Sequence, residues 1–462
     1  MDHYGTISDN AACSPDPGME AGEPVPLPSL RRIAQIVTMS PLRPARANLA
    51  LAWAFTIAVG LSPVLLMSTL DGGSAGYYLL VLLSIIVLFV VRPAAPGQVW
   101  CDNRREYVWM GVGVAVMLIG VLTSLLVHGL WKGSEVEKAS RFLTVLLILA
   151  AALRIPRPIL AHGLFGLLLG IWYAVINVGW LVLSTGGRPA TRQFNTVTYG
   201  NLTLLFSMLA LLLLGYRITR FKRTEFALKL ITGVAGLGAF LATQTRGGLL
   251  AVPVLVFIAL LVQGRRLNRY KAWAGALLLG AVGLIVLSDS TLRERIHLGV
   301  NEFEECQVTH LADTSVCIRL QLWSAAGHMI QSEPVFGIGG GDRFREELRS
   351  LAEARQVSPT VARDYGETHN DLLYFLATYG VLGGLGLVLL YAAPGWVLLR
   401  RLWREDDAGR LFAGAGVMIC ASYLVFGITE MMFRDMRSAS FYATWVAVFL
   451  ALSDPARRRQ AD

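Results

Sequence analysis

The chain is 462 residues long, 54% apolar and 16% charged, with a mean hydropathy of +0.53. Those proportions exclude a water-covered globule of two or three domains and make lipid the main solvent. A formal net charge of +9 would suit nucleic acid only if the basic residues gathered on one polar face, and they do not.

Residues 1–47 hold Pro15, Pro17, Pro24, Pro26 and Pro28 among acidic and small residues, with no apolar stretch before Leu49. This reads as a disordered cytoplasmic tail without a cleaved signal peptide. Apolar runs then recur near 48–70, 76–91, 107–128, 141–154, 159–184, 197–215, 226–244, 247–263, 272–288, 371–398, 411–430 and 439–453. In hydrocarbon each run must satisfy its own backbone hydrogen bonds, which makes it a helix. The expected fold is all-α: a polytopic membrane bundle with spans one to nine over 48–288, spans ten to twelve over 371–453, and a cytoplasmic tail over 454–462. With the amino terminus inside, the inner segments carry 24 Lys and Arg and the short outer loops 8, which is the positive-inside asymmetry of an inner-membrane protein with both termini cytoplasmic. The basic balance therefore reports topology and not nucleic acid.

Residues 289–370, between spans nine and ten, form the largest hydrophilic segment and are expected as a single loop domain outside the cytoplasm. Cys306 and Cys317 lie in it, where an oxidising compartment permits a disulfide; two free thiols is the other reading. Of the remaining cysteines, Cys13 and Cys101 fall on the cytoplasmic side and Cys420 within a span.

Ionisable residues inside spans are few: His162, with Asn177 as a further polar group, reads as a satisfied interior residue, and Glu430 at the outer end of span eleven is explained by solvent. The outer face carries more chemistry. Arg192 sits in "GGRPATRQFN", Arg246 in "TQTRGGLL", Arg319 in "CIRLQLW" and His369 in "ETHNDLLYFLATYG". Arg246 interrupts an apolar stretch running from 226 to 263, so the chain must reverse there at the membrane surface, with Gly247 and Gly248 easing the turn. A snorkelling interfacial arginine is the plain alternative. His369 opens span ten, as a cap or a catalyst, and the Gly380–Gly384 pair on that helix suits close approach of a neighbour. "SEPVFGIGGGDRFREELRS" sets a glycine-rich turn before a charged amphipathic helix, which suits either an anion or a purely structural turn. There is no GxxxxGK[ST], so nucleotide binding is not expected, and the outer side has no DxD, HExxH or CxxC, so neither a metal nor a cofactor is expected.

At these residues the sequence resembles the bacterial O-antigen ligase family and its relatives, the O-antigen polymerases and protein O-oligosaccharyltransferases. The resemblance rests on His369-Asn370 with nine residues to Gly380 and two more to Gly383, on "TRGGLL", and on "RLQLWSAAGHMIQSEPVFGIGGG", and it covers about 190 to 390. It implies a GT-C-like inverting glycosyltransferase of the bacterial inner membrane with a periplasmic active site. The donor would be O-antigen on undecaprenyl pyrophosphate and the acceptor the lipid A-core. Carried over, it implies His369, Arg246 and Arg319 as the catalytic core, Arg192, Arg246 and Arg319 as pyrophosphate ligands, and Asn370 and Asp371 as secondary candidates. The alternatives are a polymerase or protein O-oligosaccharyltransferase on the same donor, or a flippase for lipid-linked glycan. The last predicts matched repeats and broken helices, and the sequence shows neither.

Overall fold

A computed structural model describes residues 46–91, 104–263, 280, 290–309, 311–403 and 407–455. Expected span nine, the amino-terminal tail, Cys13, Cys101 and most of the carboxy-terminal tail lie outside the described residues. In chain order the helices are α1 (Arg46–Ser68), α2 (Gly72–Val90), α3 (Arg104–Val127), α4 (Gly133–Ala152), α5 (Arg157–Ala161), α6 (Phe165–Thr185), α7 (Thr196–Leu212), α8 (Lys222–Ala242), α9 (Arg246–Leu249), α10 (Ala251–Gln263), α11 (Ser290–Thr309), α12 (Ser315–Ser332), α13 (Gly341–Glu353), α14 (Pro359–Asp364), α15 (Asp371–Arg401), α16 (Asp407–Phe426) and α17 (Met436–Leu452).

Among the described residues there is no strand, and nine helical stretches are long and apolar enough to cross a membrane. Two further expected spans are helices that differ from that pattern for visible reasons. The amino-terminal half of α4 carries Glu135, Glu137, Lys138 and Arg141, and α17 is a shorter apolar helix of 17 residues, buried along nearly its whole length. The lipid-facing positions are apolar: Phe89 is 86% exposed and Leu183 86% exposed, as a helix in hydrocarbon allows.

The centre of the bundle is α15 lying along α3. Their backbones meet through glycines, since a Cβ on Gly386 would stand 2.5 Å from Met117 Cα and one on Gly120 2.8 Å from the Gly383 nitrogen. The close approach expected of the Gly380–Gly384 pair is therefore made by other glycines. Gly384 faces Leu376 of its own helix, and Gly380 (φ +66°) is where α15 breaks.

That break receives the glycine-rich turn. The carbonyls of Ala377 and Thr378, freed at the kink, accept from Ile338 N at 2.9 Å and Gly339 N at 3.1 Å, and Val381 N donates to Pro334 O at 3.0 Å. Ser124 Oγ donates to Thr378 O at 3.0 Å, and His128 Nε2 contacts Gly337 O at 2.5 Å. The two open readings of the turn resolve to the structural one, because its amides are spent on α15 carbonyls rather than aimed at an anion.

The hydrophilic segment is mostly helical, comprising α11 to α14, and it docks on the bundle. α12 buries Ile318, Leu322, Ala325 and Met329 against the core, and Cys306 of α11 is bonded to Cys317 of α12, Cα–Cα 5.3 Å.

Candidate active site

Two turns of the chain meet where α16 ends. The first, Glu367–Asn370, leads into α15; the second, 427–435, joins α16 to α17. Several contacts tie them. Asp371 N donates to Gly427 O at 2.8 Å, and the buried Asp371 carboxylate accepts from Met432 N at 3.1 Å, Phe433 N at 3.2 Å and Tyr391 Oη at 3.3 Å. Asn370 caps α15 through Leu373 N at 3.0 Å and donates to Ile428 O at 3.1 Å. Both secondary candidates thus hold backbone: they fix the two turns against one another.

His369 sits between them with φ +50°, a conformation that non-glycine residues seldom adopt and that is commonest at functional turns. Its Nδ1 stands 3.1 Å from Glu430 Oε1 and 3.9 Å from Glu367 Oε1, and the Tyr365 ring meets the imidazole edge-on at 5.8 Å. Among the described residues Nε2 has no partner, and the side chain is 14% exposed. Glu430, expected to be solvated, is only 2% exposed. Burial pushes its carboxyl upward. The hydrogen bond and charge of His369, the Met431 amide and the Asn195 side chain outweigh this and hold it below the usual carboxylate range. Glu367 is ion-paired with Arg434, a guanidinium whose proton affinity burial and nearby Arg345 lower.

These groups border a cavity of about 810 Å³, lined by Glu367, Glu430 and Arg434 together with Arg192, Asn195 and Arg437. A second cavity of about 800 Å³ shares Leu70, Asp71, Arg192 and Gln193 with it and runs to Asn177 and the lipid-exposed Trp180. Of the cavity arginines, Arg434 is committed to Glu367, and Arg437 to Asp435 and, at 4.2 Å, to the face of Phe194. Arg192 is exposed and has no anionic partner among the described residues.

The other expected arginines, Arg246 and Arg319, are not in the lining of this cavity. At the α8–α10 reversal the left-handed residue is Gln244 (φ +53°), and the two glycines serve packing: a Cβ on Gly247 would meet Thr429 Oγ1 at 2.5 Å, and one on Gly248 Asn201 Oδ1 at 2.8 Å. Arg246 is therefore anchored one residue from the neighbour of Glu430. Across it lies α11, where a Cβ on Gly299 would come within 2.7 Å of Arg246 Nη1. Arg319 bonds within its own helix, to Ser315 O at 3.2 Å and Oγ at 2.9 Å. One turn on and on the same face, Trp323 donates to Thr368 O at 3.0 Å, which sets α12 against the histidine turn. His162 contacts Pro158 O at 2.8 Å, and Asn177 donates to Tyr199 Oη at 3.2 Å; each has a local partner, and both are only partly buried rather than interior.

A protein-family model described as O-antigen ligase matches residues 231–388. Over that segment, about a third of its length, the chain is similar to the O-antigen ligase family. No curated protein matches the chain. The O-antigen ligase match contains Arg246, Arg319 and His369, while Arg192, Glu430 and Arg434 lie outside it. The family implies a glycosyltransferase-like membrane enzyme acting on lipid-linked glycan.

Sequence reasoning missed Glu430, Arg434 and Arg437. Glu430 was visible as the one carboxylate directly following the apolar span of α16, but nothing in its neighbours "ITEMMFRDM" names a histidine 61 residues earlier as its partner. Glu367, His369 and Glu430 each offer a ligand atom within 4.8 Å of the others, an arrangement that would suit a cation. Seating one there requires displacing Arg434 from Glu367 and His369 Nδ1 from Glu430.

Proposed function

We propose that this chain is an O-antigen ligase, transferring polymerised glycan from undecaprenyl pyrophosphate to the lipid A-core at the periplasmic face of the inner membrane. The observation that carries the reading is His369 held at Nδ1 by buried Glu430 beside a cavity carrying Arg192 and Arg434. Glu430 as acceptor selects the tautomer with the proton on Nδ1, which leaves the Nε2 lone pair for substrate. Nε2 takes the proton from an acceptor hydroxyl as that oxygen bonds to the anomeric carbon. The bond from that carbon to the pyrophosphate oxygen breaks, and the lipid pyrophosphate leaves with the electron pair. A single displacement of this kind inverts the anomeric configuration. The leaving group concentrates negative charge, which arginines stabilise by charge-assisted hydrogen bonds. Arg192 is the cation in the cavity best available to it, and Arg246, whose neighbour Gly247 packs on Thr429 beside Glu430, is the second; Arg319 enters this reading through the family resemblance alone.

The test is transfer from lipid-linked glycan to lipid A-core by His369→Ala and Arg246→Ala proteins present at normal levels. Loss of transfer by His369→Ala on the order of 100 to 10,000-fold is expected, the range of a general base. Near-normal transfer by both variants overturns the assignment. Deletion of the protein separates ligase from polymerase: accumulated long lipid-linked glycan marks a ligase, whereas a core capped by a single repeat marks a polymerase.

A further inference from the structure

A further cavity, apolar with a basic rim, lies at the other end of the bundle. α7 runs from Asn195 at the active-site cavity to Leu212, and α16 from Asp407 to within four residues of Glu430, so the same two helices border both regions about 25–30 Å apart at 1.5 Å per residue. That separation is a bilayer thickness. The far cavity, about 770 Å³, has an apolar wall that includes Leu211, Leu214, Phe226 and Leu411, and Phe226 is 49% exposed on its lipid side.

Its rim is basic, and the carboxylates there are already engaged. Glu225 receives Lys229 Nζ at 2.7 Å, the amides of Ile218 at 2.9 Å and Thr219 at 2.8 Å, and the Thr219 hydroxyl at 2.8 Å; Asp407 pairs with Arg410 at 2.5 Å. Arg217, Lys222 and Arg223 are exposed, and their side chains have neither an ion-pair nor a hydrogen-bond partner among the described residues, yet all three line this cavity. Lys222 also begins the 21-residue α8, whose amino-terminal dipole favours negative charge.

We propose that this cavity binds the phosphate headgroup of an anionic phospholipid, with Arg217, Lys222 and Arg223 on the phosphate and the acyl chain laid on the leucine and phenylalanine wall. Three unmatched cations beside an apolar cavity at bilayer depth select a ligand that is both phosphorylated and hydrophobic. The site is separate from the transfer chemistry and does not depend on it.

The experiment uses the purified full-length protein in neutral detergent, titrated with phosphatidylglycerol, phosphatidylcholine or inorganic phosphate, reading melting temperature and lipid adducts by native mass spectrometry. Phosphatidylglycerol is expected to raise the melting temperature and leave a one-lipid adduct, with phosphatidylcholine and phosphate much weaker. The triple variant Arg217→Gln, Lys222→Gln, Arg223→Gln is expected to lose about a hundredfold in apparent affinity, roughly fivefold per exposed cation. Lys222→Gln alone, an exposed change that leaves the fold intact, is expected to lose about fivefold. Equal binding of phosphatidylcholine, or wild-type affinity in the triple variant, overturns the site. A shift with inorganic phosphate equal to that with phosphatidylglycerol overturns the lipid as its occupant.

Discussion

Replacing Glu430 by Gln tests the dyad most directly. The substitution keeps volume and one acceptor oxygen but removes the charge facing His369 Nδ1 at 3.1 Å, in a position only 2% exposed. A hydrogen bond to a charged group is worth about 1.5–3 kcal/mol, which at 1.36 kcal/mol per decade corresponds to about a 10- to 150-fold fall in kcat. The Glu430 carboxyl is held below the usual carboxylate range, so it stays ionised well into acid, and its stabilising contribution is lost only as pH falls through that depressed value. The assay is transfer by purified protein across pH with saturating donor, and Glu430→Asp, which restores the charge, is expected to recover part of the rate. A Glu430→Gln rate within about twofold of wild type, in folded protein, refutes the dyad.

Arg192→Ala is expected to raise KM for the lipid-linked donor about tenfold or more, with Arg192→Lys intermediate, because a point charge replaces a fork of donors; donor titration at fixed acceptor checks it. Gly380→Ala is expected to lower the melting temperature sharply: the residue has φ +66°, and its new Cβ would stand 2.1 Å from Val335 O, whereas Gly179→Ala, with nothing within 4 Å, is expected to be neutral or slightly stabilising. Cys306→Ser with Cys317→Ser opens an 11-residue separation and is expected to remove on the order of 3 kcal/mol, read as a lower melting temperature that reducing agent reproduces in the wild type.

The all-helical membrane architecture was legible because runs of about 20 apolar residues admit only one backbone-satisfied form in lipid. The histidine turn was legible as well, since His369-Asn370 stands at the start of such a run. The roles of neighbouring residues were not. Asn370 and Asp371 look catalytic beside His369, yet they hold the 427–435 turn, and "FGIGGG" looks like an anion cradle, yet the amides of Ile338, Gly339 and Gly340 close the break in α15. A polar side chain or a free amide has the same appearance in sequence whether its partner is backbone or ligand.

By itself, then, the sequence determined the solvent, the helical form, the uneven distribution of charge and the residues from which a site could be built. Only the tertiary structure decided which of them meet. Glu430 turned from a residue at the end of a span into the buried partner of His369, Arg192 joined a cavity with Arg434, and Arg319 turned to its own helix. The physical reason is that hydropathy is a local property readable along the chain, whereas a hydrogen bond between residues 61 apart depends on two turns being packed together, and that packing is set by Asp371, Asn370 and the glycines of α15.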